Sequence, residues 1–101
     1  MQTIKQTIFG KKFKLYIAKT EKQKKKGMNI FSHPKKGIGM IFPYASEEAN
    51  RSFTLSKTPF ALHVIFLDKN NNIVYQERGR KFQHKPIVCA KPSMTVVELI
   101  D

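Results

Sequence analysis

The imidazole of His63 is the side chain of this sequence with the clearest potential for chemistry, because it interrupts the apolar run Phe60–Leu67. A polar group inside a buried strand destabilises the fold unless it is hydrogen-bonded. An imidazole that faces a crevice can instead act as a general base or bind a ligand. The simpler interpretation is a core histidine bonded to its neighbours. The two interpretations differ in whether His63 lines a cavity.

Three polar residues, Ser56, Lys57 and Thr58, come shortly before this run and next to Pro59. Polar residues at the entrance of a strand can line a ligand pocket, and they are also ordinary loop residues. Together with His63 they form the candidate ligand site. No residue is assigned as catalytic, because no local signature joins a nucleophile to a base.

The cysteine and histidine content predicts neither a metal site nor a cofactor. His33, His63 and His84 are scattered, and Cys89 is the only cysteine, whereas structural zinc sites need clustered pairs. Cys89 can form no intrachain disulfide. A lone cysteine is usually a small buried hydrophobe, and pairing of Cys89 with a histidine would depend on the fold alone.

Positive charge is concentrated in the first third of the chain. The net charge is +12, and residues 1–36 hold eleven Lys and one acid. This asymmetry favours an anionic partner, either a polyanion such as nucleic acid or an acidic surface. A solvated lysine surface gives the same composition, and nucleic-acid sites rely more on Arg and aromatic residues. The candidate anion contacts fall on a predicted hairpin and a predicted helix: Lys11, Lys12, Lys14, Lys22, Lys24, Lys25 and Lys26.

The elements that carry these lysines are a β-hairpin and one short helix. Ile4–Phe9 and Lys12–Ala18 flank Gly10-Lys11, which is typical of a hairpin turn. A capping box at Thr20 and Gln23 starts a helix over Thr20–Lys26. The following glycine, Gly27, can adopt the left-handed conformation that ends a helix.

The rest of the chain predicts short strands. We expect a helical turn at Ser46–Ala49, irregular chain over Gly79–Lys91, and Pro43 as the end of the strand before it. The expected strands are Met40–Phe42, Phe53–Leu55, Phe60–Leu67, Ile73–Glu77 and Thr95–Leu99. Strand and helix do not alternate, so residues 1–101 predict one mainly β, antiparallel domain, either a β-barrel or a β-sandwich, with one short helix. The expected core is Phe13, Leu15, Ile17, Phe53, Leu55, Leu62, Val64, Phe66, Val97 and Leu99.

No apolar run approaches the roughly 18 residues that span a bilayer, and Met1–Ile8 lacks the apolar region of a signal peptide. We therefore expect a soluble, cytoplasmic chain.

Four segments occur in the order and spacing of a known family, and they cover about residues 13–101. The sequence resembles the domain of unknown function 192 family, the uncharacterised ACR proteins. That family shows Thr-x-x-Glu-Arg-x-x-Gly-Leu-Met, then Gly-Met-Leu-Phe-x-Phe, then Phe-Trp-Met-Lys-Asn-Thr-x-x-Pro-Leu-Asp-Ile-x-Phe-Leu-Asp, and a Leu-Glu-Leu close. The matching residues here are Thr20, Gln23, Lys24, Gly27 and Met28, then Gly39–Tyr44, then Phe53, Thr58, Leu62, Phe66, Leu67 and Asp68, and finally Val97-Glu98-Leu99.

The resemblance implies a compact β-barrel or β-sandwich, and it also identifies departures. The Trp-Met-Lys-Asn of the family is Thr54-Leu55-Ser56-Lys57 here, and its Asp after Pro-Leu is His63. A site of the family would lie at such polar and aromatic positions. The resemblance therefore implies a divergent member, and any shared activity that depends on these positions would be altered or lost here. Many members are exported behind a signal segment, which this sequence does not show.

Three functions remain after these observations. The first is a non-enzymatic binding module for an anionic partner or a small ligand. The second is an enzyme, or a degenerate enzyme, with a site around Ser56–His63. The third is a structural or interaction subunit, which would expose an apolar patch.

Overall fold

The structure is a computed structural model and describes residues 1–101. It contains one α-helix, α1 (Glu21–Lys26), followed by a short 3₁₀ helix (Gly27–Ile30), and neither is long and apolar enough to cross a membrane. The strands are β1 (Thr3–Ile8), β2 (Lys11–Ile17), β3 (Ile38–Glu48), β4 (Arg51–Phe53), β5 (Leu62–Leu67), β6 (Ile73–Gly79), β7 (Ile87–Cys89) and β8 (Ser93–Leu99).

Six strands form one sheet in the order β1-β2-β3-β8-β5-β6, and β4 pairs with β7 in a small second sheet. The prediction of a mainly β fold with one short helix is confirmed. Because β1 and β6 remain edges, the architecture is sandwich-like rather than a closed barrel. One pair departs from the antiparallel expectation: β2 and β3 run parallel. The segment between them, which contains α1, is long enough for the crossover that parallel strands require.

Apolar side chains cover both faces of the large sheet. The main cluster lies between this sheet, the small sheet and the helical segment, and it includes Phe42, Val64, Phe66 and Val96. A second cluster on the opposite face consists of Phe13, Leu15, Ile65, Val97 and Leu99. Of the ten predicted core residues, only Ile17 and Phe53 are half-buried rather than buried.

Gly39 allows the side chains of the second cluster to pack against each other across the backbone of β3. It is opposite Leu15 on β2 and Leu99 on β8. A Cβ at position 39 would lie 2.8 Å from the side chains of both leucines and 2.6 Å from the backbone oxygen of Glu98. These distances are too short for van der Waals contact, so only glycine fits here.

The predicted hairpin and helix are present. The hairpin turn is Phe9-Gly10, one residue earlier than expected, and both residues have positive φ, as a type I′ turn requires. The capping box is complete, because the amide of Gln23 donates to Thr20 Oγ1 over 3.1 Å and the Gln23 side chain accepts from the Thr20 amide. Gly27 ends α1 with φ of 55°.

Three predictions were wrong: the helical turn at Ser46–Ala49, the end of a strand at Pro43 and the irregular chain over Gly79–Lys91. Ser46–Ala49 is not a helical turn, because β3 continues through Pro43 to Glu48. The proline is tolerated since β2 pairs with β3 only as far as Ile41, which leaves one flank of β3 free at position 43. The segment expected to be irregular contains β7, which pairs with β4 and shifts that strand to Arg51–Phe53.

Candidate functional site

The last turn of α1 and the loop between β4 and β5 face each other across an open cleft of about 710 Å³. The walls are aromatic where β3 and β4 contribute Phe42, Tyr44 and Phe53. The cleft therefore brings together two of the predicted sets, the helix lysines and the polar residues before β5. We call it the lysine-rimmed cleft and define it by Lys24, Lys25, Lys26, Ser56, Lys57, Thr58 and, on its floor, Glu98.

Lys24 is the lysine of α1 that is packed against the cleft. Its side chain is only 12% exposed, and its Nζ lies 4.2 Å from the centroid of the Tyr44 ring and 3.8 Å from Glu21 Oε1. A cation over an aromatic face is attracted by the ring quadrupole. Because the capping box fixes the start of this short helix, Lys24 is held at one place on the rim.

Ser56 and Thr58 are held by the turns of their loop. The amide of Thr58 donates to the carbonyl of Leu55 over 3.0 Å, and the carbonyl of Thr58 accepts from the amide of Phe82 over 2.9 Å. Thr54 Oγ1 donates to Ser56 Oγ over 3.3 Å. Thr58 is buried, Ser56 is half-buried and Lys57 is exposed, so these residues run from the interior of the cleft to its rim.

Two cations lie against the ring of Tyr44. The Arg51 guanidinium carbon lies 3.7 Å from the ring centroid, while Lys24 lies over the same ring. Arg51 is itself fixed, because its Nη2 donates to the carbonyls of Ser46 and Ser93, each over 3.1 Å. Burial raises the pKa of the Tyr44 hydroxyl, and this outweighs the lowering effect of Arg51. Tyr44 therefore stays neutral and forms a rigid wall.

Glu98 forms the floor of the cleft, and it was absent from the predicted site. It lies on β8, between Met40 of β3 and Val64 of β5, and both neighbours are fully buried. The side chain is 4% exposed, and burial raises the pKa of its carboxyl from 4.5 to about 8. At neutral pH this carboxyl is predominantly protonated. The signal for this position in the sequence is an acid within the otherwise apolar run Val96–Ile100.

His63 lies on the other face of the sheet. Alternation along β5 places Val64 and Phe66 in the main cluster and His63 beside the second cluster. Its Nε2 lies 2.7 Å from Gln76 Oε1, its Nδ1 lies 3.3 Å from Asp101 Oδ2, and Phe9 stacks on the ring. His63 is 5% exposed and borders a separate, smaller cleft, so it does not meet Ser56, Lys57 or Thr58.

The predicted lysines of the first hairpin also lie elsewhere. Lys12 and Lys14 line a shallow groove with Lys5, and Lys11 borders the cleft at His63. Lys22 is exposed and lies outside the lysine-rimmed cleft. Three of the seven predicted anion contacts therefore meet at the lysine-rimmed cleft: Lys24, Lys25 and Lys26.

The remaining candidate groups form no cluster. Cys89 is buried, and its Sγ donates to the carbonyl of Lys91 over 3.3 Å, as expected of a structural cysteine. No three His, Cys, Asp or Glu side chains come together in a metal-binding arrangement. Eight large apolar residues are exposed, and they are distributed over several elements, for example Ile4 on β1 and Val88 on β7, while Ile73 and Tyr75 share β6.

Fold and cleft together define a small, mainly β domain with a polar cleft between its main sheet and a short helix. The sequence profile of the domain of unknown function 192 family, the uncharacterised ACR proteins, matches residues 3–101, and the chain belongs to that family. The resemblance noted from the four motifs is thereby confirmed. No protein of curated function matches the sequence.

Two solved structures share the fold. A protein of unknown function from Novosphingobium aromaticivorans DSM 12444 superposes with a TM-score of 0.78 at 19% identity, covering 96% of this chain and 71% of that one. A protein from Sinorhizobium meliloti 1021, described as a "putative transcription regulator", also gives 0.78, at 18% identity, covering 88% of this chain and 69% of that one. At these identities the likeness concerns the fold alone.

Proposed function

We propose that this chain is a non-enzymatic binding module that holds a small anionic ligand in the lysine-rimmed cleft. The observation that carries the proposal is the convergence of Lys24, Lys25 and Lys26 from α1 with Lys57 from the facing loop. Each lysine can donate hydrogen bonds to carboxylate or phosphate oxygens. Ser56 and Thr58 add hydroxyls that can donate to the same oxygens.

The arrangement favours binding over catalysis. A hydroxyl nucleophile needs a base within hydrogen-bonding reach, and the hydrogen-bond partner of Ser56 Oγ is Thr54. The carboxyls at the cleft are those of Glu21, which lies next to Lys24, and Glu98, which is predominantly protonated. The enzyme alternative around Ser56–His63 would require His63 to reach the opposite face of the sheet.

The charge of the whole chain supports the same ligand class. A net charge of +12 raises the local concentration of anions and speeds their association. Four lysines at one cleft direct that attraction to a defined place. Binding of a small anion should therefore weaken as salt is added, because exposed charges are screened.

The proposal is tested by titrating the isotope-labelled chain with citrate and with inorganic phosphate while following amide chemical shifts. We expect saturable shifts confined to residues 24–28 and 54–58. Lys24→Gln should weaken binding about tenfold, because it removes one charge-assisted hydrogen bond to the ligand and a loss of this size corresponds to the free energy of such a bond. Lys91→Gln is the matched control, because it removes one charge from an exposed loop outside the cleft.

Two results would overturn the proposed function. One is a set of shifts spread over lysines on every face of the domain, which indicates non-specific charge attraction. The other is an equal loss of affinity in Lys24→Gln and Lys91→Gln, because net charge alone would then account for the binding.

A further inference from the structure

Glu98 is a buried polar side chain on the lining of the cleft, and no hydrogen bond within the chain acts on the pKa of its carboxyl. Burial raises the pKa of its carboxyl, and no neighbouring cation or hydrogen-bond donor offsets this by lowering it. The lysines of the rim therefore do not neutralise it. A buried carboxyl left unpaired destabilises a fold, yet this one lies at the bottom of the cleft, where a ligand can reach it.

The chemistry of a neutral carboxyl limits what it can recognise. The protonated group has one O–H donor and carbonyl-type acceptor capacity. A hydroxyl group is its natural partner, because a hydroxyl can accept the proton of the acid and donate to its other oxygen. A purely apolar ligand would leave Glu98 unpaired, and a cationic ligand would have to pass the four lysines of the rim.

We propose that Glu98 is a ligand-contacting residue that selects a hydroxylated small anion, such as a sugar acid or a sugar phosphate. A hydroxyl of the ligand bonds to Glu98 on the floor, while Lys24 and Lys57 hold the acidic group at the rim. This assignment rests on the proposed function and adds the class of ligand to it.

The walls of the cleft fit the body of such a ligand. Phe42 and Phe53 pack edge to face with centroids 5.3 Å apart, and Tyr44 lies alongside. The half-buried rings of Tyr44 and Phe53 provide an apolar surface for the C–H groups of a sugar, while Ser56 and Thr58 are positioned for its further hydroxyls. A volume of about 710 Å³, part of it open to solvent, accommodates a molecule of six or seven carbons.

Gluconate and hexanoate provide the matched pair of probes. Both are six-carbon monoanions, and only gluconate carries hydroxyls beside its carboxylate. Calorimetry or amide shifts at neutral pH should show gluconate binding about tenfold more tightly than hexanoate, as expected for an added hydrogen bond to a buried partner. Glucose 6-phosphate should likewise bind more tightly than inorganic phosphate.

Two variants of Glu98 test whether this residue causes the preference for gluconate over hexanoate. Glu98→Leu replaces the carboxyl with an apolar side chain of similar size, so folding should be retained. It should lower the affinity for gluconate to that for hexanoate and leave hexanoate unchanged. Glu98→Gln keeps a donor and an acceptor, so it should retain most of the preference for gluconate.

The outcomes separate this inference from the proposed function. If gluconate and hexanoate bind equally, or if Glu98→Leu keeps the preference, Glu98 does not select hydroxyls, while lysine-dependent binding of both acids would still support an anion-binding cleft. If none of the four probes binds at the cleft, both proposals fail.

Discussion

Phe9 stacks on His63, with ring centroids 5.8 Å apart and ring planes inclined by 15°. The contact joins the turn between β1 and β2 to β5, although neither of these two strands is a neighbour of β5 in the sheet. The two ring nitrogens of His63 are also hydrogen-bonded, Nε2 to Gln76 and Nδ1 to Asp101. The sharpest candidate in the sequence is therefore a bonded histidine that anchors the hairpin.

The pair of Asp101 and Arg78 predicts an acid-sensitive contribution to stability. Arg78 donates two hydrogen bonds, of 2.6 and 2.8 Å, to the carboxylate, and these bonds lower the pKa of Asp101. A carboxyl with a lowered pKa stabilises the fold above its unfolded pKa, and the effect is lost as the pH falls through the folded value. Asp101→Asn should thus reduce the free energy of unfolding at pH 7, and the deficit should shrink toward pH 2.

Urea unfolding of the wild type and of Asp101→Asn between pH 2 and 7 measures this difference. A deficit that is independent of pH would show that the carboxylate charge of Asp101 contributes nothing to stability.

Glu98 predicts the opposite dependence on pH. Its folded pKa of about 8 lies above the ordinary value of 4.5, so the folded chain keeps a proton that the unfolded chain loses. The free energy of unfolding should fall as the pH rises from about 4.5 to 8, by up to about 1.4 kcal/mol per pH unit, and level off above. Glu98→Gln should remove this slope, because glutamine does not titrate.

The measurement is the midpoint of denaturant unfolding at pH 5, 6, 7 and 8 for wild type and Glu98→Gln. Stability of Glu98→Gln relative to wild type should increase with pH. An unchanged difference across this range would mean that the Glu98 carboxyl is solvated in the folded chain.

Local patterns predicted those elements whose stability is local. The first hairpin and the capping box at Thr20 each depend on residues a few positions apart, and each is present. The course of β3 through Pro43 could not be predicted, because it depends on which partner strand is missing there. The strand β7 has three residues and exists through its pairing with β4, so no period of its own reveals it.

The same limit applies to the candidate site, because the sequence indicates residues of suitable chemistry and the tertiary fold decides which of them meet. Lys24 and Thr58 were named for their own chemistry, and their meeting across one cleft depends on the tertiary fold. His63 was grouped with Ser56 because they are close in sequence, although the alternation of β5 places His63 on the opposite face. The role of Glu98 could not be predicted, because its raised pKa results from burial in the tertiary fold, where it lies between Met40 and Val64 of the neighbouring strands.

The main core predicts a large effect for one aromatic residue. Phe66 is fully buried, and its ring lies 5.9 Å from that of Phe53 and 6.0 Å from that of Tyr75. Phe66→Ala should lower the free energy of unfolding by about 3–5 kcal/mol, because the lost transfer energy and the cavity add. Phe82→Ala is the control, since that side chain is 52% exposed and should lose less than about 1 kcal/mol. Equal losses at both positions would contradict the packing of β5.

The separation of the lysines into different clefts leads to a test of nucleic-acid binding. If the chain binds duplex DNA or RNA through either group, log K should fall linearly with log salt by about 0.9 for each phosphate neutralised, or about 3.6 for four contacts. Two triple variants with the same loss of charge compare the groups: Lys24, Lys25 and Lys26 to Gln on α1, and Lys11, Lys12 and Lys14 to Gln on the hairpin. Fluorescence anisotropy with a short duplex at about 50 mM salt, where this interaction is strong, measures the binding.

A polyanion contact on α1 would flatten the salt slope in the first triple variant and not in the second, and the reverse holds for a contact on the hairpin. The hairpin variant should keep its stability within about 1 kcal/mol, because its three lysines are exposed and exposed charges contribute little to folding. The α1 variant should lose somewhat more, because Lys24 is packed on the ring of Tyr44. An equal, small decrease in both variants would indicate attraction by net charge alone. The absence of binding at this low salt would leave the hairpin lysines as a solvated surface and restrict anion binding to small ligands at the cleft.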